Sequence, residues 1–228
     1  MTDPTGAILQ RDGKTYAVTT RIPAGIITPE QLETIAAAGR KYQVPVLKST
    51  SGQRILIAGL QPEDVPRVIV DLGPLAKPES GPCVKFVQAC LGTDMCRYGR
   101  QDSIGLARTL EETFRDQAFP AKIKIGVSGC PRCCSESHTR DLGMVGTPNG
   151  WTVLFGGNAG TRPRFGDPVA RDLTAREAVD CAQSLAWYYR DHATRHERTA
   201  RFMERIGMDT LKSGVLSLLP YIPLEKVQ

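Results

Sequence analysis

The stretch GCPRCCSESHTRDLGMVGT, residues 129–147, places three cysteines, Cys130, Cys133 and Cys134, within five positions. It is entered from AKIKIGV (121–127), which alternates like a β-strand, and it leaves through LGMVGT (142–147), a second strand. The cysteines therefore occupy a Gly/Pro-bearing loop between strands. A second pair, Cys90 and Cys96 in ACLGTDMC, has five residues between its members and follows the apolar strand VKFVQA (84–89). Four thiolates on two such loops can hold a cubane cluster, because short spacings let neighbouring sulfurs point inward together. Gly92, Gly129 and Pro131 suit this reading, since backbone must come close to the cluster. Zinc is the rival metal, although its structural sites favour pairs with two to four intervening residues. Buried, inert cysteine is the plain reading of any single thiol; four thiols in two loops argue against it.

Working outward, GWTVLFGG (150–157) reads as a further strand and SIGLARTLEETFRDQ (103–117) as a helix with Ile104, Ala107, Leu110 and Phe114 on one face. Residues 174–207 form a long helix or helix pair, charged on one side. His192 and His196, at i and i+4 there, read as a hydrated face rather than a metal pair. Upstream, residues 14–72 have the order β-α-β-β-α. TYAVTTRI (15–22) is a strand. Thr28 is the expected N-cap of a helix, with Pro29 at its first position, Gln31 completing a capping box and Ile27 and Leu32 forming a hydrophobic staple. Leu32, Ile35 and Ala36 make its apolar stripe. VPVLKST (44–50) and QRILIAGL (53–60) flank a Ser51-Gly52 turn, and residues 61–73 supply a second helix. The Pro/Gly-rich GPLAKPESGP (73–82) marks the boundary between two expected domains, 1–75 and 76–228. The class is α+β.

Composition bounds the function. The chain of 228 residues is 41% hydrophobic and 23% charged, an ordinary globular balance. No run approaches the roughly 18 apolar residues of a membrane span. The N-terminal MTDPTGAILQRDGKTY has no basic start followed by an apolar block, so a cytoplasmic location with reduced thiols is expected. A net charge of +5 suits an anionic partner. The basic residues are dispersed and not interleaved with aromatics, which argues against nucleic acid. GGNAG (156–160) is too short for a dinucleotide fingerprint, and no flavin motif is visible.

ACLGTDMC together with GCPRCC…DLGMVG resembles the sirohaem-dependent sulfite and nitrite reductases. RIPAGIITPEQL (21–32) is similar to that family's ferredoxin-like half-domain, and FGGNAGTRPRFGD (155–167) to its GGN-x-x-GTR loop near the tetrapyrrole. The resemblance spans about residues 15–167. It implies a ferredoxin-like half-domain followed by a sirohaem and 4Fe–4S domain with C-terminal helices. Cys90, Cys96, Cys130 and Cys134 become cluster ligands, with Cys134 bridging to the sirohaem iron; Cys133 falls between ligand positions. Arg97, Arg132, Asn158, Thr161 and Arg162 would face sirohaem, and Lys85 and Arg54 the substrate. His138, just past the cluster loop, is a proton-donor candidate beside its plain surface reading.

The implied activity is an oxidoreductase reducing sulfite to sulfide or nitrite to ammonia with six electrons from an external donor, a ferredoxin or a separate reductase subunit. The alternative is a 4Fe–4S electron-transfer protein or subunit without catalytic sirohaem; a zinc-stabilised binding module is a third reading. Two residues depart from the family pattern: Leu91 stands where proline is usual and Arg132 where asparagine is frequent. The module also occurs once, whereas larger members carry it twice. A homodimer, a partner subunit or a compact one-module enzyme would each accommodate that.

Overall fold

A computed structural model describes residues 6–76, 81–216 and 224–227. Residues 77–80, inside the expected linker, lie outside the described residues. The chain divides into two units, Met1–Gly81 and Pro82–Gln228.

In the first unit, β1 (Ile8–Leu9) and β2 (Tyr16–Thr19) precede α1 (Pro29–Lys41), β3 (Val46–Ser49), β4 (Ile55–Leu60) and α2 (Val65–Leu72). The strands form an antiparallel sheet in the order β1-β2-β4-β3. The α1 start is as expected: the Gln31 N–H donates to Thr28 Oγ1 at 3.3 Å and the Thr28 N–H to Gln31 Oε1 at 2.9 Å. The buried stripe differs. Ile35, Ala38 and Gly39 are buried, whereas Leu32 is 46% exposed. The helix is thus rotated so that Ile35 meets Val18, Ile57, Val68 and Leu72 in the core. β3 is an edge strand, which is why Val46 and Leu47 stay half exposed.

The second unit opens with β5 (Val84–Ala89), a short α3 (Gly92–Met95), α4 (Ser103–Thr113) and β6 (Ile123–Ser128). It continues through β7 (Leu142–Thr147), β8 (Gly150–Phe155), β9 (Asp167–Leu173), α5 (Ala175–His192) and α6 (Thr199–Leu216). The sheet order is β5-β6-β7-β8-β9, with β5, β6 and β7 parallel and β7 to β9 antiparallel. Its strands are near-continuous apolar runs because helices cover them. Leu106 and Leu110 of α4 and Leu185 and Tyr189 of α5 are buried with Ile123, Ile125, Leu142 and Phe155. Each such side chain contributes about 1.5–3 kcal/mol relative to exposure.

β9 escapes the sequence reading because Pro168 and the exposed Arg171 and Asp172 interrupt its alternation, a pattern that a sheet edge tolerates. The C-terminal stretch is a helix pair, with α6 broken at Gly207, where φ is 77°. This corrects the histidine spacing. α5 ends at His192, which stacks on Tyr188 at 4.1 Å, while His196 lies in the following turn at φ 66°. The two do not share a helix.

α5 starts on a capping box: the Glu177 N–H donates to Thr174 Oγ1 at 3.2 Å and the Thr174 N–H to Glu177 Oε2 at 2.7 Å. That second bond, with Lys226 3.0 Å away, holds the Glu177 carboxyl below its ordinary value. Thr174→Ala is expected to cost about 1 kcal/mol, read by denaturant unfolding. A carboxylate with a depressed folded-state pKa stabilises above its unfolded pKa. The Thr174–Glu177 contribution should therefore be intact at neutral pH and fall away as pH drops below about 4.

Candidate metal centre

Both cysteine loops leave the carboxyl ends of neighbouring parallel strands: Cys90 follows β5 and Cys130 follows β6. This end of an open parallel sheet is where ligands usually bind. The loops are locked together through backbone. Gly129 N–H donates to Cys90 Sγ at 3.1 Å, and the Arg100 N–H donates to the Gly129 carbonyl at 2.8 Å. Ser103 Oγ donates to the Cys90 carbonyl at 2.7 Å and lies 3.4 Å from its sulfur. Gln101 Nε2 reaches the Thr147 carbonyl at 2.8 Å, tying in β7.

Two glycines permit this approach. Gly92 has φ +58°, and a Cβ there would lie 2.4 Å from Ser103 Oγ. A Cβ on Gly129 would lie 2.8 Å from both the Gln101 carbonyl oxygen and Gly92 Cα. Gly129→Ala must therefore push the loops apart. It is expected to cost about 2–3 kcal/mol and to lower iron content, checked by thermal unfolding and metal analysis.

Cys130 is buried, Cys90, Cys96 and Cys133 are half-buried and Cys134 is exposed. Desolvation first, then the charges of Cys90, Cys130, Cys96 and Cys133, hold the Cys134 thiol above its ordinary value. Each of those four sulfurs thus lies within electrostatic reach of Cys134. Among the described residues, no three His, Cys, Asp or Glu side chains are gathered tightly enough to hold a single metal ion. A cubane makes a different demand, with each cysteine on its own iron, and a set of thiolates on two glycine-tightened loops is the donor set it needs. Cys133 adopts a left-handed backbone at φ 57°, and its N–H closes a turn onto the Cys130 carbonyl at 3.2 Å. Cys181 is fully buried in α5, its thiol pushed up to about 12 by burial, and stands apart from this chemistry. Cys83 pairs with Ala118 in an isolated bridge.

After Cys134 the chain crosses back over the sheet to the start of β7. A Cβ on Gly126 would meet the Ser135 carbonyl oxygen at 2.6 Å, so the bare strand makes room for the crossing. Ser135 N–H donates to Ser128 Oγ at 3.1 Å, and Ser137 Oγ lies 2.8 Å from the same hydroxyl. The GGNAGTR stretch (156–162) and the residues after it pack on the end of this crossing, where the Gly166 N–H donates to the His138 carbonyl at 2.7 Å. His138 is exposed, its ring edge-on to Phe165 at 6.3 Å. Asn158 shapes its own loop, donating to the Arg162 carbonyl at 2.8 Å and accepting from Gly160 N–H at 3.1 Å. Thr161 is exposed, and Arg162 is ion-paired with Glu204 at 3.4 Å.

A polar cleft of about 170 Å³ opens beside this loop, lined by Lys122, Lys124, Arg140, Arg198, Asp141 and Asn158 among others. Burial, then the charges of Lys122, Arg140 and Arg198, lower the Lys124 pKa. Arg140 is buried, donates to Gln88 at 2.6 Å and pairs with Glu136 at 2.8 Å. These cations were missed individually in the sequence. The signal was present: strand alternation in AKIKIGV puts Lys122 and Lys124 on one face. The cleft lies at the amino ends of β6 and β7, the cysteines at the carboxyl end of β6. The two are separated by roughly the 16 Å rise of that strand. Of the expected substrate contacts, Lys85 sits near the start of β5, and Arg54 precedes β4 in the other unit. Arg97 and Arg132 both pack on the Tyr98 ring, their guanidinium carbons 4.5 and 3.9 Å from its centroid.

Fold and thiol set together define an iron–sulfur oxidoreductase domain preceded by a ferredoxin-like half. Residues 80–220 match the nitrite and sulphite reductase 4Fe–4S domain, and residues 8–75 the nitrite/sulfite reductase ferredoxin-like half domain. The chain belongs to the nitrite and sulfite reductase family, whose cofactors are a 4Fe–4S cluster and sirohaem. It is 44% identical over 214 residues to an assimilatory-type sulfite reductase of Nitratidesulfovibrio vulgaris, covering 94% of this chain and 98% of that protein. It is 40% identical over 207 residues to a nitrite reductase [NAD(P)H] of Bacillus subtilis, covering 91% of this chain and only 26% of that protein. Among solved structures, dissimilatory sulfite reductase I matches with a TM-score of 0.80 at 16% identity, covering 92% of this chain and 70% of that one. The NirA protein of Mycobacterium tuberculosis matches with a TM-score of 0.80, also at 16% identity, covering 94% and 42%. These last two bear on the fold alone. Among the described residues, no helix is long and apolar enough to cross a membrane.

Proposed function

We propose that the chain is a reductase module that converts sulfite to sulfide or nitrite to ammonia, working in the cytoplasm with electrons from a separate protein and with a second copy or a partner subunit completing the sirohaem pocket where one module does not. The observation that supports this reading is the placing of two cysteine loops, locked together through Gly129 and Cys90, at the carboxyl ends of neighbouring parallel strands of a domain that matches the 4Fe–4S reductase domain. The near-complete overlap with an assimilatory-type sulfite reductase supports it and favours sulfite. Cys90, Cys96, Cys130 and Cys134 hold the cluster. Asn158, Thr161 and Arg162 belong to the sirohaem side, with Cys134 as the bridging thiolate. When bound, the coupled cluster and sirohaem would relay, one at a time, the six electrons that the separate donor protein provides.

The chain's own residues do the rest. Sulfite, nitrite and the carboxylates of sirohaem are all anions, and the cations of the cleft, Lys122 and Lys124 among them, give this unit a positive field that attracts them. Lys85 is proposed as a further substrate contact within this unit.

The test is turnover of anaerobically prepared, cofactor-loaded protein with reduced methyl viologen and either anion. Viologen oxidation with production of sulfide or ammonia is expected. A protein holding both cofactors that oxidises viologen with neither anion would instead be an electron carrier. That second reading has one specific support: 30% identity over 186 residues to an assimilatory nitrate reductase electron transfer subunit of B. subtilis.

A further inference from the structure

We propose that Cys130 and Cys133 close into a reversible disulfide when the centre holds no cluster, and that this bond shuts the site to cluster insertion until a dithiol reopens it. The gating role rests on the assignment of Cys130 as a cluster ligand. A cubane takes four thiolates, and the second cysteine loop brings a fifth thiol, Cys133, among them. Cys133 stands with Cys130 in the spacing C-x-x-C, as Cys130-Pro131-Arg132-Cys133, the spacing of dithiol–disulfide couples. Both are free thiols, Cys130 buried and Cys133 half-buried.

The backbone already brings the pair together. The Cys133 N–H donates to the Cys130 carbonyl at 3.2 Å, the closing bond of a four-residue turn. The end residues of such a turn have Cα atoms less than about 7 Å apart, and a disulfide spans about 4.4–6.8 Å. Each position of the turn is held. Pro131 presets the backbone angle of the first inner residue. The Arg132 guanidinium carbon packs 3.9 Å from the Tyr98 ring centroid, and Cys133 takes the left-handed conformation at φ 57°. Joining the ends therefore orders little further chain. The neighbouring thiols are less suited. Cys134 adjoins Cys133, with Cα atoms about 3.8 Å apart, below the range of an unstrained disulfide. The Cys90 sulfur already accepts from the Gly129 N–H at 3.1 Å and lies 3.4 Å from Ser103 Oγ. Closure proceeds by exchange with a low-molecular-weight disulfide. The Cys133 thiolate attacks one sulfur of that reagent, forming a mixed disulfide and freeing one thiol. The Cys130 thiolate then attacks the Cys133 sulfur and frees the other. The two cysteines lose two electrons and two protons, and the reagent is reduced to its thiols. Cys130 then offers no thiolate, so three of the four ligands remain. A dithiol reverses the bond, whereas a thiol oxidised to sulfinic acid is lost.

The experiment treats cluster-free, full-length protein with excess oxidised dithiothreitol under argon, a cyclic disulfide that leaves no adduct on a lone thiol. The product is digested with trypsin in denaturant and mapped by mass spectrometry. Trypsin cuts after Arg132, so a Cys130–Cys133 bond leaves peptides 125–132 and 133–140 joined. Wild type should give the joined pair, which reduced dithiothreitol separates, and Cys133→Ser should give the two peptides apart. Cluster transfer from a 4Fe–4S-loaded scaffold protein, followed by visible absorption, reads the gate. Loss of even an outer partner of a metal ligand costs roughly 10–100-fold, so oxidised wild type should accept cluster at least about tenfold more slowly than reduced wild type. Oxidised and reduced Cys133→Ser should both accept it within about twofold of reduced wild type, because all four ligands stay thiolates. Separate peptides from oxidised wild type, joined peptides from Cys133→Ser, or equal cluster uptake by oxidised and reduced wild type would each overturn the proposal. The first of these with normal cluster uptake would remove the gate and leave the metal centre standing. Reduced wild type that takes up no cluster would overturn the metal-centre reading, and the gate with it.

Discussion

Replacing Cys134 by serine is expected to leave the fold intact and remove the activity. The side chain is exposed and serine is nearly its size, so unfolding transitions should barely move. In the proposed assignment the thiolate is the ligand, and a neutral hydroxyl does not replace it. Losing an outer partner of a metal ligand already costs roughly 10–100-fold. Loss of the ligand itself should lower turnover more than about 100-fold and deplete iron and labile sulfide. Cys133→Ser is the matching control. Cys133 lies in the same loop, in a left-handed turn, at a position outside the ligand set. Its variant should keep the cluster and at least about half the activity. A cluster lost from Cys133→Ser and retained in Cys134→Ser would reverse the ligand assignment.

The second large effect is on stability. Asp141 is almost completely buried, with both carboxylate oxygens committed. It accepts from Arg198 at 2.8 and 2.9 Å, from the Lys124 N–H at 2.9 Å and from the Thr199 hydroxyl. Its own carbonyl accepts from the Gly156 N–H at 2.9 Å. One residue thus joins β6, the entry to β7, the end of β8 and the start of α6. Asp141→Ala leaves a buried amide and hydroxyl without partners and Arg198 without its counter-charge. The cost of breaking a buried pair is about 3–5 kcal/mol. Arg198 keeps some access to water, so the lower end applies. A drop in Tm of about 6–12 °C is expected for a unit of this size. Asp141→Asn keeps an acceptor for Lys124 and Thr199 and should fall less.

Much of this was readable from the sequence, for local reasons. The α1 capping box is written in Thr28 and Gln31, and the strands entering Cys90 and Cys130 show as short β-rich segments, the second alternating between Lys and Ile. What escaped depends on tertiary partners. Leu32 fits a helical stripe, yet the face that meets the sheet is set by Ile35 and Ala38. β9 is polar and contains proline, and only its place at the sheet edge makes it a strand. At the candidate site, the two cysteine loops were legible as pairs. That Ser103 and Gln101 would tie them to each other and to β7 was not, because neither residue has a spacing signature. Asp141 lay within the quoted motif but showed its role only once Arg198, 57 residues later, came back to it.

The account turns on the metal centre, and one preparation tests it: protein purified without oxygen, analysed for iron and labile sulfide alongside its visible spectrum. About five irons and four labile sulfides per chain, with tetrapyrrole absorption bands, are predicted, four irons belonging to the cluster and one to sirohaem. Zinc in place of iron, with no labile sulfide and no visible bands, would contradict the central claim.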